Sequence, residues 1–165
     1  MKDSDFFTWR RDCSLRFQEL TNTDEVYREL ERQTQALEFD YYALCVRHPV
    51  PFTRPKISLQ TTYPKPWMAQ YQSANYFAID PVLKAENFIQ GHLPWTDALF
   101  AEAQELWHSA QDHGLRAGIT QCLMLPNHAL GFLSVSRTSV QEGPFAREEI
   151  ELRLQMLVQM ALTSL

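Results

Sequence analysis

Apolar residues at Phe6, Trp9, Cys13, Phe17 and Leu20 recur three or four positions apart, which is the period of one helix face. After a polar break, Val26, Tyr27, Leu30 and Leu37 resume that spacing, so two opening helices are predicted, the second capped at Thr23-Asp24. Residues 41–47 and 57–62 are short runs of aromatic, apolar and β-branched side chains separated by a proline-bearing stretch at 48–55. They read as two strands. Pro64 and Pro66 suit the first turn of a helix, where a missing N–H leaves no bond unmade, and that helix is predicted to reach about residue 75. Tyr63, Trp67 and Tyr71, at four-residue steps, then fall on one side of it.

Asp80-Pro81 predicts a short turn or helix start, followed by a loop to Trp95. Leu99, Ala103, Leu106, Trp107 and Ala110 give residues 98–113 a broad apolar face, with Gly114 as the stop. Residues 118–125 and 129–137 flank Pro126-Asn127-His128 and predict a hairpin, in which Gly118 marks a bulge or a close backbone approach. A last helix is predicted over 145–165, with Ile150, Leu154, Leu157, Ala161 and Leu165 as one stripe and Leu152, Met156 and Met160 widening it. Runs of helix, strand, helix and hairpin predict an α/β/α sandwich over an antiparallel sheet. The pattern does not set the strand order.

With 165 residues, 45% hydrophobic and 12% aromatic, the chain is the size of one domain able to enclose a core and a cavity. The net charge of −5 and the lack of clustered Lys and Arg exclude a tight grip on DNA by these residues themselves. Arg10-Arg11 and Arg16 have acidic neighbours and read as a solvated face. No run approaches the roughly 20 apolar residues of a membrane span, and Met1-Lys2-Asp3-Ser4-Asp5 lacks a signal-peptide start, so a cytoplasmic protein without membrane contact is expected. Cys13, Cys45 and Cys122 are odd in number and unrelated in spacing, and read as reduced core thiols. His48, His92, His108, His113 and His128 are scattered and read as solvated imidazoles; no metal and no cofactor is expected.

Asp80 most needs an explanation, because a carboxylate framed by Ile79, Pro81 and Val82 is costly unless hydrogen-bonded. Two readings fit. It caps a helix with Pro81 in the first turn, or it accepts a ligand N–H. Trp67 has a donor-only indole N–H suited to a ligand carbonyl, or is ordinary core. Ser134, between Leu133 and Val135 on a predicted strand, faces a ligand or bonds its own backbone.

The set Trp67-x-x-x-Tyr71, Asp80-Pro81, Trp95 and Gly118 resembles the ligand-binding domain of LuxR-type quorum-sensing regulators, which bind N-acyl-homoserine lactones. Phe39-Asp40-Tyr41-Tyr42, Arg47-His48-Pro49-Val50-Pro51-Phe52, Ala78-Ile79-Asp80-Pro81-Val82 and Ala129-Leu130-Gly131-Phe132-Leu133-Ser134 extend the resemblance over nearly the whole chain. It implies an autoinducer-binding domain over 1–165, built on a central five-stranded antiparallel sheet similar to PAS and GAF domains. Asp80 would take the ligand amide N–H, Trp67 would give its indole N–H to the lactone carbonyl, and Tyr63 and Ser134 would address the acyl carbonyl. Tyr71 and Trp95 are read as walls rather than hydrogen-bonding groups. Leu59, Phe77, Val82, Phe100, Leu115 and Phe132 are candidates for the acyl tunnel, where each buried methylene contributes about 0.8 kcal/mol. Ala43 stands where some relatives carry a hydroxyl, which argues against a strong preference for 3-oxo chains.

The resemblance also implies a homodimer, paired through the apolar width of 145–165 and the aromatic opening helix around Phe6, Phe7 and Trp9. It implies DNA contact only through a helix-turn-helix domain expected after Leu165. Catalytic motifs are absent: there is no His-Glu-x-x-His, Gly-x-Ser-x-Gly, Walker A or Gly-rich dinucleotide loop. The chain is therefore not expected to be an enzyme. The competing readings are an enzyme acting on acyl lipids or lactones, and an interaction module with a lipid-filled pocket.

Overall fold

The computed structural model describes residues 3–48, 56–84, 91–140, 143 and 145–165. Most of the proline-bearing stretch at 48–55 and part of the loop before Trp95 lie outside these residues, as do Met1 and Lys2.

Helices α1 (Asp3–Glu19) and α2 (Thr23–Ala36) open the chain and drive Cys13, Phe17, Val26 and Leu30 into the core. The cap of α2 is Asn22 rather than Thr23-Asp24. Its extended backbone lets Oδ1 accept the Glu25 N–H at 2.9 Å. Glu25 in turn accepts from the Thr21 N–H and hydroxyl, each at 2.8 Å, so the first turn is tied on both sides.

Five antiparallel strands follow the order β2-β1-β5-β4-β3: β1 (Tyr41–His48), β2 (Lys56–Thr61), β3 (His92–Pro94), β4 (Ala117–Met124) and β5 (Leu130–Arg137). The β4–β5 hairpin closes through a short 3-10 turn, Pro126–His128. The stretch before Trp95, read from sequence as loop, contains β3. Three residues ending in proline carry no alternation; this strand exists through its partner, with Leu93 opposite Thr120, and proline is tolerated because the strand lies at the sheet edge.

Alternation divides the sheet. Tyr42, Leu44, Ile119, Leu133 and Val135 pack with α1, α2 and α5 (Arg147–Ser164) in one core. Ala43, Cys45 and Ser134 face the other way, toward α3 (Lys65–Ser73) and α4 (Gln104–Asp112). The result is the expected α/β/α sandwich.

Several element limits differ from the sequence reading. Tyr63 precedes α3, whose N-cap is Pro64; it reaches the same region as Trp67 and Tyr71 from the β2–α3 connection, where the Thr61 hydroxyl accepts its backbone N–H at 3.0 Å. α3 stops at Ser73, before Asn75 adopts a left-handed φ of 54°. α4 begins at Gln104 rather than 98, because residues 97–102 form turns anchored on the Thr96 hydroxyl and Ala103 leaves helical geometry with φ −138° and ψ 47°. Gly114 ends α4 with φ +93°, as expected. On α5, Leu154, Leu157 and Ala161 are fully buried, but Leu165 is exposed and the buried face instead takes in Val158 and Arg153. Arg153 is sandwiched between the Trp9 and Phe145 rings, 4.7 and 5.0 Å from their centroids, and pairs with Glu149 at 2.6 Å.

Candidate functional site

Between the sheet and the α3/α4 layer lie two cavities of about 50 and 40 Å³. Tyr63, Tyr71, Asp80 and Val82 line both, so these four side chains form the partition. Ala43, Cys45, Leu59, Met68, Phe77, Leu83 and Ser134 complete the first chamber. Trp67, Trp95, Phe100, Leu106, Trp107, Ala110 and Leu115 complete the second. Eleven of the twelve residues singled out from sequence are thereby brought together. The exception is Phe132, which is fully buried on the same face of β5 but sits between Cys45 and Cys122 and lines neither chamber.

Asp80 is the chemical centre. It caps the 3-10 turn Pro81–Leu83, with Oδ1 accepting the Val82 N–H at 3.0 Å, while Oδ2 accepts the Tyr71 hydroxyl proton. Capping and a place in the cavity therefore coexist. Burial lifts the carboxyl from 3.8 to about 6, outweighing the opposing pull of the Tyr71 hydroxyl, the Val82 N–H and the Lys84 charge. A carboxylate has about four lone-pair positions, so two bonds leave it able to take a further donor.

Tyr71 is more than a wall. Its hydroxyl is committed to Asp80, and burial followed by the Asp80 charge raises its pKa strongly. Trp95 is likewise hydrogen-bonded, giving its indole N–H to the Thr120 hydroxyl at 2.9 Å. Gly118 permits this: a Cβ there would overlap the Trp95 ring. Ser134 bonds the Thr120 hydroxyl at 2.7 Å rather than its own backbone. Tyr63 is raised above the ordinary phenol range by burial and by Asp80, and its hydroxyl lies near those of Ser134 and Ser136.

Trp67 is held by rings on three sides: Tyr71 edge-on at 5.7 Å, Tyr76 at 5.8 Å and His113 at 5.3 Å. Phe100 and Trp107 stack 4.4 Å apart and meet Trp95 edge-on, with the Trp107 N–H fixed by Asp97 at 2.7 Å. His113 and His92 are not simply solvated, since His92 contacts Glu151 at 3.1 Å. Burial pushes the thiols of Cys13 and Cys45 up to about 12 and that of Cys122 to about 11; all three are free, and Cys45 lines the first chamber.

Sequence reasoning missed Cys45, Met68, Leu83, Leu106, Trp107 and Ala110 among the lining residues, and Thr120 behind them. Thr120 carried a readable signal, because positions 120 and 134 are equidistant from the hairpin turn and so pair across it. Among the described residues no group of His, Cys, Asp and Glu is arranged to hold a metal, and no helix is long and apolar enough to cross a membrane.

The chain is 59% identical over its full 165 residues to the regulatory protein SdiA of Escherichia coli strain K12, covering 69% of that protein. A solved structure of SdiA in complex with octanoyl-rac-glycerol superposes with a TM-score of 0.94 over 99% of this chain and 67% of that one, at 58% identity. The HTH-type quorum-sensing regulator RhlR of Pseudomonas aeruginosa is 39% identical over 96% of the chain and 66% of its own length. A GAF domain/HD domain protein from Geobacter sulfurreducens, at 19% identity and a TM-score of 0.53 over 88% of the chain and 93% of its own, shares the fold alone. The family model described as the autoinducer binding domain matches residues 22–165, and the chain belongs to that family of LuxR-type quorum-sensing regulators.

Proposed function

We propose that the domain senses an N-acyl-homoserine lactone or a related acylated amphiphile by enclosing it between the sheet and the α3/α4 layer. The observation that carries this reading is Asp80, a buried acceptor between two apolar chambers, with Tyr63 sharing its partition and the Ser134 hydroxyl on the sheet wall of the first chamber. A trans amide presents its N–H and C=O on opposite edges, and Asp80 on one side with the hydroxyls of Tyr63 and Ser134 on the other would meet both. The lactone would enter from the side of the aromatic chamber around Trp67, and the chain would extend into the one lined by Leu59, Met68 and Phe77. The binding of octanoyl-rac-glycerol by SdiA supports tolerance for heads other than a lactone. Ala43 offers only a methyl to the chamber, which supports weak discrimination between 3-oxo and plain chains.

Small-molecule sites measure roughly 300 Å³ or more, against cavities of about 50 and 40 Å³ here. Occupancy therefore has to move the shared partition and merge the chambers, which couples ligand to packing. A ligand bound only by the folded state adds about 4 kcal/mol of stability at a thousandfold excess over Kd. Self-association is proposed along α1 and α5, where Phe7, Leu15 and Leu152 are exposed and a groove of about 560 Å³ runs past Met156 and Met160. Trp9 does not belong to that surface; it packs on the core and donates to Gln33 at 2.9 Å. In the whole protein, DNA contact would come from a further domain after Leu165, in the cytoplasm.

Incubation with N-octanoyl-homoserine lactone, gel filtration and mass spectrometry of the extracted ligand test the reading. The expected result is one intact lactone retained per chain. Recovery of the ring-opened or deacylated product at a rate proportional to protein would establish an enzyme instead.

A further inference from the structure

A hydrogen-bonded line runs from the end of β3 across β4 to β5. The Trp95 indole lies over Gly118, whose carbonyl accepts the Trp95 backbone N–H at 3.0 Å. From there its Nε1 reaches the Thr120 hydroxyl at 2.9 Å, and the Thr120 hydroxyl reaches that of Ser134 at 2.7 Å. Thr120 is fully buried and Ser134 is 5% exposed, so bulk water does not share these bonds.

Counting protons orders the line. An indole N–H donates and cannot accept, so Thr120 is the acceptor of the first bond. Either oxygen can donate in the Thr120–Ser134 bond; the Trp95 N–H already occupies one of the two lone pairs of Thr120, which favours Thr120 as the donor to Ser134. With Ser134 accepting from Thr120, its own proton is left for the chamber side, where the Tyr63 hydroxyl and a ligand carbonyl are its acceptors. Each bond also polarises the next in the same direction.

We propose that Thr120 is a positioning residue that fixes Ser134 as a donor into the cavity, so that the site demands an acceptor, an acyl carbonyl, at that point. This rests on the ligand-binding reading above. The consequence is division of labour: Asp80 reads the donor of the ligand head and Ser134, through Thr120 and Trp95, reads the adjacent carbonyl. Without the Trp95 bond, nothing would bias the pair toward Thr120 as the donor, and Ser134 would distinguish an acceptor from an apolar group less sharply.

Two neutral probes isolate the carbonyl: 1-octanoyl-rac-glycerol, an ester, and 1-O-octyl-rac-glycerol, the ether lacking that oxygen. Calorimetric titration of the parent should favour the ester. Thr120→Val, close in volume but without the hydroxyl, should weaken the ester by about tenfold and the ether much less, a size expected for one buried hydrogen bond, and Thr120→Ser should restore the preference. In a Ser134→Ala background, Thr120→Val should change the ester-to-ether ratio no further. Should Thr120→Val not fold, Trp95→Phe decides, because removing the indole donor should erase the same preference. Equal losses on both probes, or an undiminished effect of Thr120→Val without Ser134, would overturn the assignment. A parent that binds neither probe nor the octanoyl lactone would instead bring down the ligand-binding reading, and the inference with it.

Discussion

The two faces of the sheet use the same strands for opposite ends. Toward α1, α2 and α5, Leu133, Val135, Leu154, Leu157, Val158 and Ala161 are wholly buried, and apolar side chains interdigitate as in an ordinary core. Toward α3 and α4 aromatic and polar side chains join the aliphatic ones, two cavities remain, and a carboxylate sits among them. The first face holds the domain together. The second gives up packing density and keeps hydrogen-bonding groups that a ligand can recruit. Strand alternation lets one hairpin serve both, with Leu133 and Val135 pointing to the dry, close-packed side and Ser134 to the cavity side.

The largest effect expected from breaking this contrast is on the dry side. Leu157→Ala should cost about 2 to 5 kcal/mol of stability, measured by urea unfolding, with little change in ligand affinity for the molecules that remain folded.

On the cavity side the expected stability effect is of opposite character and depends on pH. Asp80 titrates at about 6 in the folded chain against an ordinary 3.8, so between these values the folded state binds more protons than the unfolded one. Stability attributable to this group therefore rises as pH falls through 6 and levels off below about 4. Its ionised form destabilises the fold at neutral pH by roughly 3 kcal/mol. Unfolding of the parent and Asp80→Asn at pH 4.5 and 7 should show the parent losing stability toward pH 7 relative to the variant, which keeps only the pH dependence of the other groups.

Trp67→Phe should sharpen the comparison further. It retains most of the ring packing but deletes the indole donor, with an expected loss of about 1 to 3 kcal/mol for acyl lactones and a smaller loss for ligands without a carbonyl at that end. A uniform loss across both ligand types, seen by calorimetry, would return Trp67 to a packing role. Smaller still should be the effect of Leu152→Glu on ligand affinity: half-exposed on α5, it belongs to neither face, and the change should weaken self-association in sedimentation equilibrium while leaving lactone binding unchanged.

Much of this was legible in the chain because it is local. Helical periods, strand alternation, the Gly114 stop and the Gly118 approach each follow from a few neighbouring residues. What failed to show was set by partners distant in sequence. β3 is a strand because β4 pairs with it, not because His92-Leu93-Pro94 has any pattern of its own. The Tyr71 bond to Asp80 joins α3 to a 3-10 turn nine residues on, and made a hydrogen-bonding group of a side chain read as a wall. Trp95, read as a wall, does line the aromatic chamber, but its bond to Thr120 went unread because that acceptor is supplied by another strand. Helix α4 lost its first turn to the Thr96 hydroxyl, a competition that its apolar period does not record.

Calorimetric titration of N-octanoyl-homoserine lactone into the parent and Asp80→Asn at pH 7 tests the central claim most directly. Exchanging the buried carboxylate for a neutral amide removes a charge-assisted acceptor, and affinity should fall by about 1.5 to 3 kcal/mol, roughly ten- to a hundredfold, while the variant remains folded. Equal affinities for parent and variant would contradict Asp80 as the group that reads the ligand head.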